Sequence, residues 1–335
     1  MRFRKLIPLF FAILLLAGCT QTSTVIVVTP PPAVSEPQST PGPTSVPTPS
    51  LTPEPAPSPT PEPTPSPTPN PYFSDQEEVT ADPDSGHWLY RSPTLYVDIQ
   101  RTIDKENKQV YYVADVRVRN GERERSGFST PKRPGGKSTD LKKIVRYYKA
   151  VVAVNGDFLD NNSSDKERKG VIIRDGQVIV DKKKADTLAF MPDGTMKVFA
   201  AGQADAESLL AQGIQTTYSF GPTLINNGVI QEGLDEHRLR KPNPRTAVGY
   251  IEPSHYLLIV VEGRSKRAKG MTLVELAELF ASYGCEIAYN LDGGASAAMT
   301  FMGEVISEYQ GSTSGQRPVP DALMFGYSEL VDSGD

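Results

Sequence analysis

Cysteine is scarce in this chain, and so are most of the residues that announce a familiar chemistry. Only Cys19 and Cys285 occur in 335 residues. Cys19 closes an apolar leader, so the part able to fold has one thiol and no internal disulfide to form. Cys285, at the end of a helical stretch, is expected to be a buried free thiol. His87, His237 and His255 are the only histidines. They lie far apart, without the close helical spacing by which paired imidazoles grip zinc, which excludes a zinc-protease centre. There is no Walker-type phosphate loop, and Gly294-Ala295-Ser296-Ala297-Ala298 lacks the last glycine of a nucleophile elbow. A net charge of −5 provides no basic field, which argues against nucleic acid as a partner. No internal repeat is visible.

Long apolar runs are missing too. The leader run, Leu6 to Ala17, spans twelve residues behind three basic residues in Met1 to Lys5. It is too short for a hydrocarbon core of about 30 Å, so residues 1–18 read as a secretory signal and not as a spanning helix. Leu16-Ala17-Gly18-Cys19 resembles a bacterial lipobox. That resemblance implies that Cys19 becomes the acylated first residue of the mature protein, anchored on the extracytoplasmic face of a bacterial membrane. Residues 19–29 would be an anchor-proximal linker.

From Pro30 to Pro71 there are 18 prolines in 42 residues and no lysine or arginine. Such a segment cannot bury enough surface to offset its ordering entropy, and is expected to be a disordered stalk. As polyproline II, at about 3.1 Å per residue, it could reach on the order of 130 Å. Residues 72–335 remain for a folded domain with one sizeable core, expected to be a monomer.

Within that domain, Val110 to Val118 reads as a half-buried strand. Ser138 or Thr139 is expected to cap a helix carrying Leu141, Ile144, Val145 and Tyr148 on one face, followed by an apolar strand from Val151 to Val154. Short strands then pair as hairpins: Val171 to Ile173 with Val178 to Val180, Leu188 to Phe190 with Met196 to Phe199, and Thr246 to Tyr250 with Tyr256 to Val261. Thr272-Leu273-Val274-Glu275 is a capping box. It starts a helix with Leu273, Leu276, Ala277, Phe280 and Tyr283 as its buried stripe, and Gly284 ends it. Strands Ile287 to Leu291 and Ala322 to Phe325 follow. Helices mixed with antiparallel pairs point to α+β, a single domain with a mixed, largely antiparallel sheet and a few packed helices.

Four places combine a strand end with glycine and ionisable side chains. Asn155-Gly156-Asp157-Phe158 follows a buried strand. Arg245-Thr246 opens another, where a rigid guanidinium can meet a phosphate or carboxylate. In Val261-Glu262-Gly263-Arg264 the carboxylate and guanidinium are two residues apart, so on a continuing strand they share a face and either pair or flank a ligand. In Asn290-Leu291-Asp292-Gly293-Gly294-Ala295-Ser296, Asn290 and Asp292 share a face, two glycines let backbone approach a ligand, and Ser296 adds a hydroxyl. Acids, amides and arginines are the equipment for hydrolysing a glycosyl or phosphoryl bond.

In this order, with Gly270-Met271-Thr272-Leu273 and a late Arg317-Pro318-Val319-Pro320, the stations resemble the phosphodiester glycosidase family over roughly Val110 to Tyr327. Glu262 stands where the family usually has aspartate, and Ala295, Ala297 and Ala298 replace glycine or hydroxyl residues. The resemblance implies an exported hydrolase of sugar-1-phosphodiesters in envelope glycans or exopolysaccharide. It implies Asp292, Asp157 and Glu262 as catalytic carboxylates. Asn155, Gly156, Arg245, Thr246, Arg264, Asn290, Gly293, Gly294, Ser296 and Arg317 would form the substrate site. No cofactor is expected. Two other readings fit these residues: a glycan-binding module without turnover, and a phosphodiesterase holding a divalent cation such as calcium through Asp157, Asp292 and Asn290.

Overall fold

A computed structural model describes residues 70–129, 138–158, 170–308 and 316–334. The leader, Cys19, the linker and the stalk up to residue 69 lie outside the described residues.

Alternating apolar residues build a meander of β1 (Glu78–Asp82), β2 (His87–Arg91), β3 (Leu95–Asp104) and β4 (Gln109–Val118), followed by β5 (Glu124–Phe128). Helix α1 (Leu141–Tyr147) leads into β6 (Val152–Asn155). Next come hairpins β7 (Val171–Arg174) with β8 (Gln177–Asp181) and β9 (Thr187–Phe190) with β10 (Met196–Phe199), then α2 (Ala206–Ala211). Short strands β11 (Thr216–Tyr218), β12 (Thr223–Asn226) and β13 (Val229–Ile230) precede the long hairpin β14 (Arg245–Glu252) and β15 (His255–Val261). Helix α3 (Leu273–Ser282), β16 (Ile287–Asn290), a 3₁₀ turn (Gly294–Ser296), β17 (Met299–Phe301), β18 (Glu304–Val305) and β19 (Asp321–Phe325) complete the described chain.

The strands form a nine-stranded sheet in the order β1-β2-β3-β4-β15-β14-β16-β12-β13 and a five-stranded sheet β18-β17-β6-β19-β5, with small sheets β10-β9-β11 and β7-β8 beside them. The α+β fold is as expected. Every strand pair among the described residues is antiparallel, crossovers included.

Two large sheets with helices outside them make four layers. Val248, Leu258 and Tyr289 from one sheet meet Val152, Val154, Leu323 and Phe325 from the other in the main core. Because strand side chains alternate, Ala247, Leu257 and Ile259 face the opposite way, onto Leu273, Leu276, Ala277 and Phe280 of α3. Each such buried valine, leucine, isoleucine or phenylalanine side chain contributes about 1.5–3 kcal/mol. Helix α1 covers the outer face of the five-stranded sheet with Leu141, Ile144 and Val145.

The capping box of α3 is present in full, Thr272 Oγ1 accepting from Glu275 N–H and Glu275 accepting from Thr272 N–H. Gly249 explains how closely α3 packs: a Cβ there would lie 2.6 Å from Phe280 and 2.8 Å from Cys285. Cys285 is buried and free, and burial pushes its thiol up to about 12.

Two local expectations change. The N-cap of α1 is Asp140, which makes no side-chain cap bond, whereas Thr139 is drawn into a backbone bridge with Val319. Tyr283 is 45% exposed, because α3 ends at Ser282 and the residue after it leaves the buried stripe.

Candidate active site

Antiparallel packing brings four strand ends to one edge: the C-terminal ends of β6 and β16, and the N-terminal ends of β14 and β19. In register, Asn290 pairs with Ala247 and Asn155 with Ala322. The loop after β16 is then stitched between its neighbours. Leu291 N–H donates to Thr246 O (2.8 Å), Asp292 N–H to Gly156 O (3.2 Å) and Gly294 N–H to Pro244 O (2.9 Å).

This explains both glycines. A Cβ on Gly293 would lie 2.7 Å from the Pro244 carbonyl oxygen. Gly294 has φ +62°, and a Cβ there would meet the Arg264 guanidinium at 2.9 Å. One is required by close approach to backbone, the other by its dihedral and by an arginine.

Beside this loop lies a cleft of about 180 Å³ whose lining includes Phe220, Asn243, Arg245, Arg264, Asn290, Asp292 and Arg317. Among the described residues, Asp292 is its only acidic lining residue. Burial pushes the Asp292 carboxyl above the usual carboxylate range, opposed by Arg317 and the Ser296 hydroxyl. Arg317 donates from Nη2 to Asp292 Oδ2 and from Nε to Ser296 Oγ (2.7 Å). Its guanidinium carbon lies 5.4 Å from the centre of the Phe158 ring.

Arg245 is buried at the start of β14. Its Nε donates to Met271 O (3.0 Å), and Nη2 donates to Leu239 O and to Lys241 O (2.8 Å). These carbonyls orient the guanidinium without neutralising it, and no carboxylate among the described residues pairs with it. Burial accordingly lowers its pKa to about 10. Arg264 is exposed, its Nε donating to Asn243 Oδ1 (3.0 Å). Asn290 donates from Nδ2 to Gly221 O (2.8 Å), while its buried Oδ1 has no partner among the described residues. The cleft thus offers three guanidiniums and one carboxyl, with the buried amide of Asn290 in its wall, a set matched to an oxyanion joined to a hydroxyl-bearing group.

Of the residues singled out from sequence, Arg245, Arg264, Asn290, Asp292, Gly293, Gly294 and Arg317 line the cleft. Asn155, Gly156 and Thr246 lie beneath it. Thr246 Oγ1 donates to Asn155 Oδ1 (2.7 Å), and Gly156 N–H donates to Asp321 O (3.1 Å). Ser296 supports Arg317.

Two expected carboxylates are engaged elsewhere. Asp157 accepts from Arg174 Nη2 (2.9 Å) and from Ser219 N–H (3.0 Å to Oδ2). Arg174 also binds Asp321, Nη2 to Oδ2 at 2.7 Å, and stacks 3.8 Å from the Tyr218 ring centre. Burial pushes Asp321 upward against the pull of Arg174. Glu262 accepts from Tyr112 Oη (3.1 Å), Glu308 N–H (3.0 Å) and Arg267 Nη2 (2.7 Å). It and Arg264 do not share a face, because β15 stops at Val261 and Arg264 has φ +57°.

Arg174 and Asp321 had no signal in the sequence beyond being charged residues in apolar strands. That pattern marks a buried pair once both are placed. Phe220 and Asn243, which begin the two sequence stretches around Arg245, also line the cleft, and Leu239 is the wall residue that carried no signal in the sequence. Asp157, Asp292 and Asn290 do not converge as cation ligands, since each carboxylate has its own arginine. Among the described residues, no group of three or more His, Cys, Asp or Glu is placed to hold a metal.

Comparison with known proteins identifies the family and the fold. The family described as phosphodiester glycosidase matches residues 148–326, so β1 to β5 and α1 precede the matched region. The chain is 31% identical over 193 residues to the SPbeta prophage-derived uncharacterized protein YomE of Bacillus subtilis (strain 168). That match takes 56% of this chain and 29% of YomE, so the chain spans under a third of that relative's length. Among solved structures, the fold is similar to the catalytic domain of zebrafish N-acetylglucosamine-1-phosphodiester alpha-N-acetylglucosaminidase, auto-inhibited by its pro-peptide. The TM-score is 0.56 and the identity 21%, over 76% of this chain and 89% of that one.

Proposed function

Given that this chain belongs to the phosphodiester glycosidase family, we propose that it hydrolyses the bond between the anomeric carbon of a sugar and the phosphate oxygen of a sugar-1-phosphodiester. Arg245 carries this reading. Among the described residues it is a buried cation without a counter-ion, an arrangement that costs several kcal/mol, and a phosphodiester entering the cleft supplies the missing charge.

The chemistry follows from the leaving group. Water adds to the anomeric carbon, the carbon–oxygen bond breaks, and its electron pair leaves on a phosphomonoester. Such an anion needs little protonation, so the main demands are a carboxyl to take the proton of water or face the oxocarbenium-like centre, and cations on the phosphate. Asp292 takes the first role. Arg245 and Arg264 take the second, with Arg317 between them and Asp292. Asn290 Oδ1 accepts from a sugar hydroxyl. Asp157 and Glu262 hold the surrounding structure.

The proposed setting is the extracytoplasmic face of a bacterial membrane, with Cys19 acylated and residues 30–71 holding the 72–335 domain clear of the surface. The substrate is then a sugar-phosphodiester group of an envelope glycan or exopolysaccharide. Cys19→Ser should release the protein from the membrane fraction.

The deciding experiment incubates the full chain with a panel of sugar-1-phosphodiesters and identifies both products by mass. Free sugar with a phosphomonoester is expected. Sugar phosphate with a free alcohol would assign a phosphodiesterase instead.

A further inference from the structure

Arg317 and Asp292 form an ion pair in which the cation is the more movable partner. The Arg317 side chain is 42% exposed and that of Asp292 9%. Asp292 is fixed by its own backbone, its N–H donating to Gly156 O and its carbonyl accepting from Asn155 Nδ2. Arg317 is tethered through Ser296 Oγ and lies against Phe158. Its Nη1 makes no hydrogen bond among the described residues.

Among the described residues, the charged groups facing Asp292 across the cleft are Arg317, Arg264 from the loop after β15, and Arg245 at the start of β14. Arg245 is already held by three carbonyls and Arg264 by Asn243. Of the three, only Arg317 is hydrogen-bonded to Asp292, so an oxyanion that binds beside Arg245 and Arg264 competes with Asp292 for Arg317.

We propose that Arg317 alternates between two partners: in the empty cleft it holds the Asp292 carboxylate, and when a phosphodiester enters it passes to the phosphate, releasing Asp292 for the proton of the attacking water. This rests on the cleft being the phosphodiester site. The proton of water goes to Asp292 as the new carbon–oxygen bond forms, and the phosphomonoester leaves with the pair of the broken bond and the Arg317 contact. Since Arg317 opposes the upward push of burial on the Asp292 carboxyl, its transfer strengthens Asp292 as a base only while substrate is present.

Sulfate tests this, because it is an oxyanion that does not itself titrate in the range of interest. The Asp292 carboxyl carbon of the full chain is followed by NMR against pH, with and without sulfate, in wild type and in Arg317→Met. Asp292→Asn identifies the signal, and Arg245→Gln locates the anion. Sulfate is expected to raise the wild-type midpoint by about one unit, a tenfold change in proton affinity. Arg317→Met should have a raised midpoint without sulfate and respond to it less than half as much. An equal or larger sulfate response in Arg317→Met would mean that the anion acts by its charge alone, and overturns the exchange while leaving the cleft as the anion site. No saturable sulfate response, or one that Arg245→Gln leaves unchanged, overturns the cleft reading and the exchange with it. Should Arg317→Met not fold, Arg317→Lys applies the same test, since one ammonium cannot reproduce separate Nε and Nη2 contacts.

Discussion

Asn155 and Asp292 are 137 positions apart, and the side chain of the first donates from Nδ2 to the backbone carbonyl of the second. The same amide accepts at Oδ1 from Thr246 Oγ1 (2.7 Å) and Ala298 N–H (3.2 Å). One buried side chain therefore ties β6, β14 and the loop carrying Asp292. Asn155→Ala leaves three buried groups unmet, each costing about 1–3 kcal/mol, so a loss of about 3 kcal/mol or more is expected in urea denaturation.

Asp292 and Asp157 should separate by what they damage. Asp292→Asn removes a charge that burial penalises and keeps the shape, so the melting temperature should hold or rise while turnover is lost. Asp157→Ala strips acceptors from Arg174 and from Ser219 N–H, and should cost about 3–5 kcal/mol. Wild-type melting with lost turnover in Asp157→Ala would return Asp157 to the chemistry.

The two loop glycines should fail differently. Gly293→Ala drives a Cβ to 2.7 Å from a backbone oxygen, which cannot give way, so calorimetry should show the larger stability loss there. Gly294→Ala should cost about 1 kcal/mol for its left-handed dihedral. It also meets Arg264, a side chain that can move, so its main mark should be a raised KM.

Glu124, buried at the start of β5, has its carboxyl pushed up by burial to about 7 from 4.5. A raised acid stabilises the fold below its unfolded value, and that contribution is lost as pH rises through the folded one. Wild-type stability should therefore fall between about pH 4.5 and pH 7. Glu124→Gln, which resembles the protonated form, should flatten that slope and be the more stable protein at pH 8, by up to about 3 kcal/mol. Denaturation midpoints across this range decide it. Asp321 and Asp292 are shifted in the same direction, so part of the slope should persist.

Much of the fold was legible because its signals are local. The capping box needs only Thr272 and Glu275, one turn apart, and α3 begins there. The hairpin of β14 and β15 needs only two apolar runs around a turn, and it pairs as expected. The stretch after β16 read as a strand end followed by a loop whose glycines admit a ligand, and the structure instead sets Gly293 against the backbone of Pro244.

The sequence by itself determined the α+β antiparallel architecture and the order of stations that meet at one edge, because hydrophobic period, caps and turns act within a few residues. Only the tertiary structure decided which carboxylate faces the cleft. Alternation predicts a side chain's direction only while a strand lasts, and Glu262 lies just past the end of β15, turned toward a tyrosine 150 positions away. Asp157 is claimed by Arg174, and Arg174 by Asp321, 147 positions from it. That Arg245 has no counter-ion among the described residues is likewise a fact about many neighbours at once, which no local pattern carries.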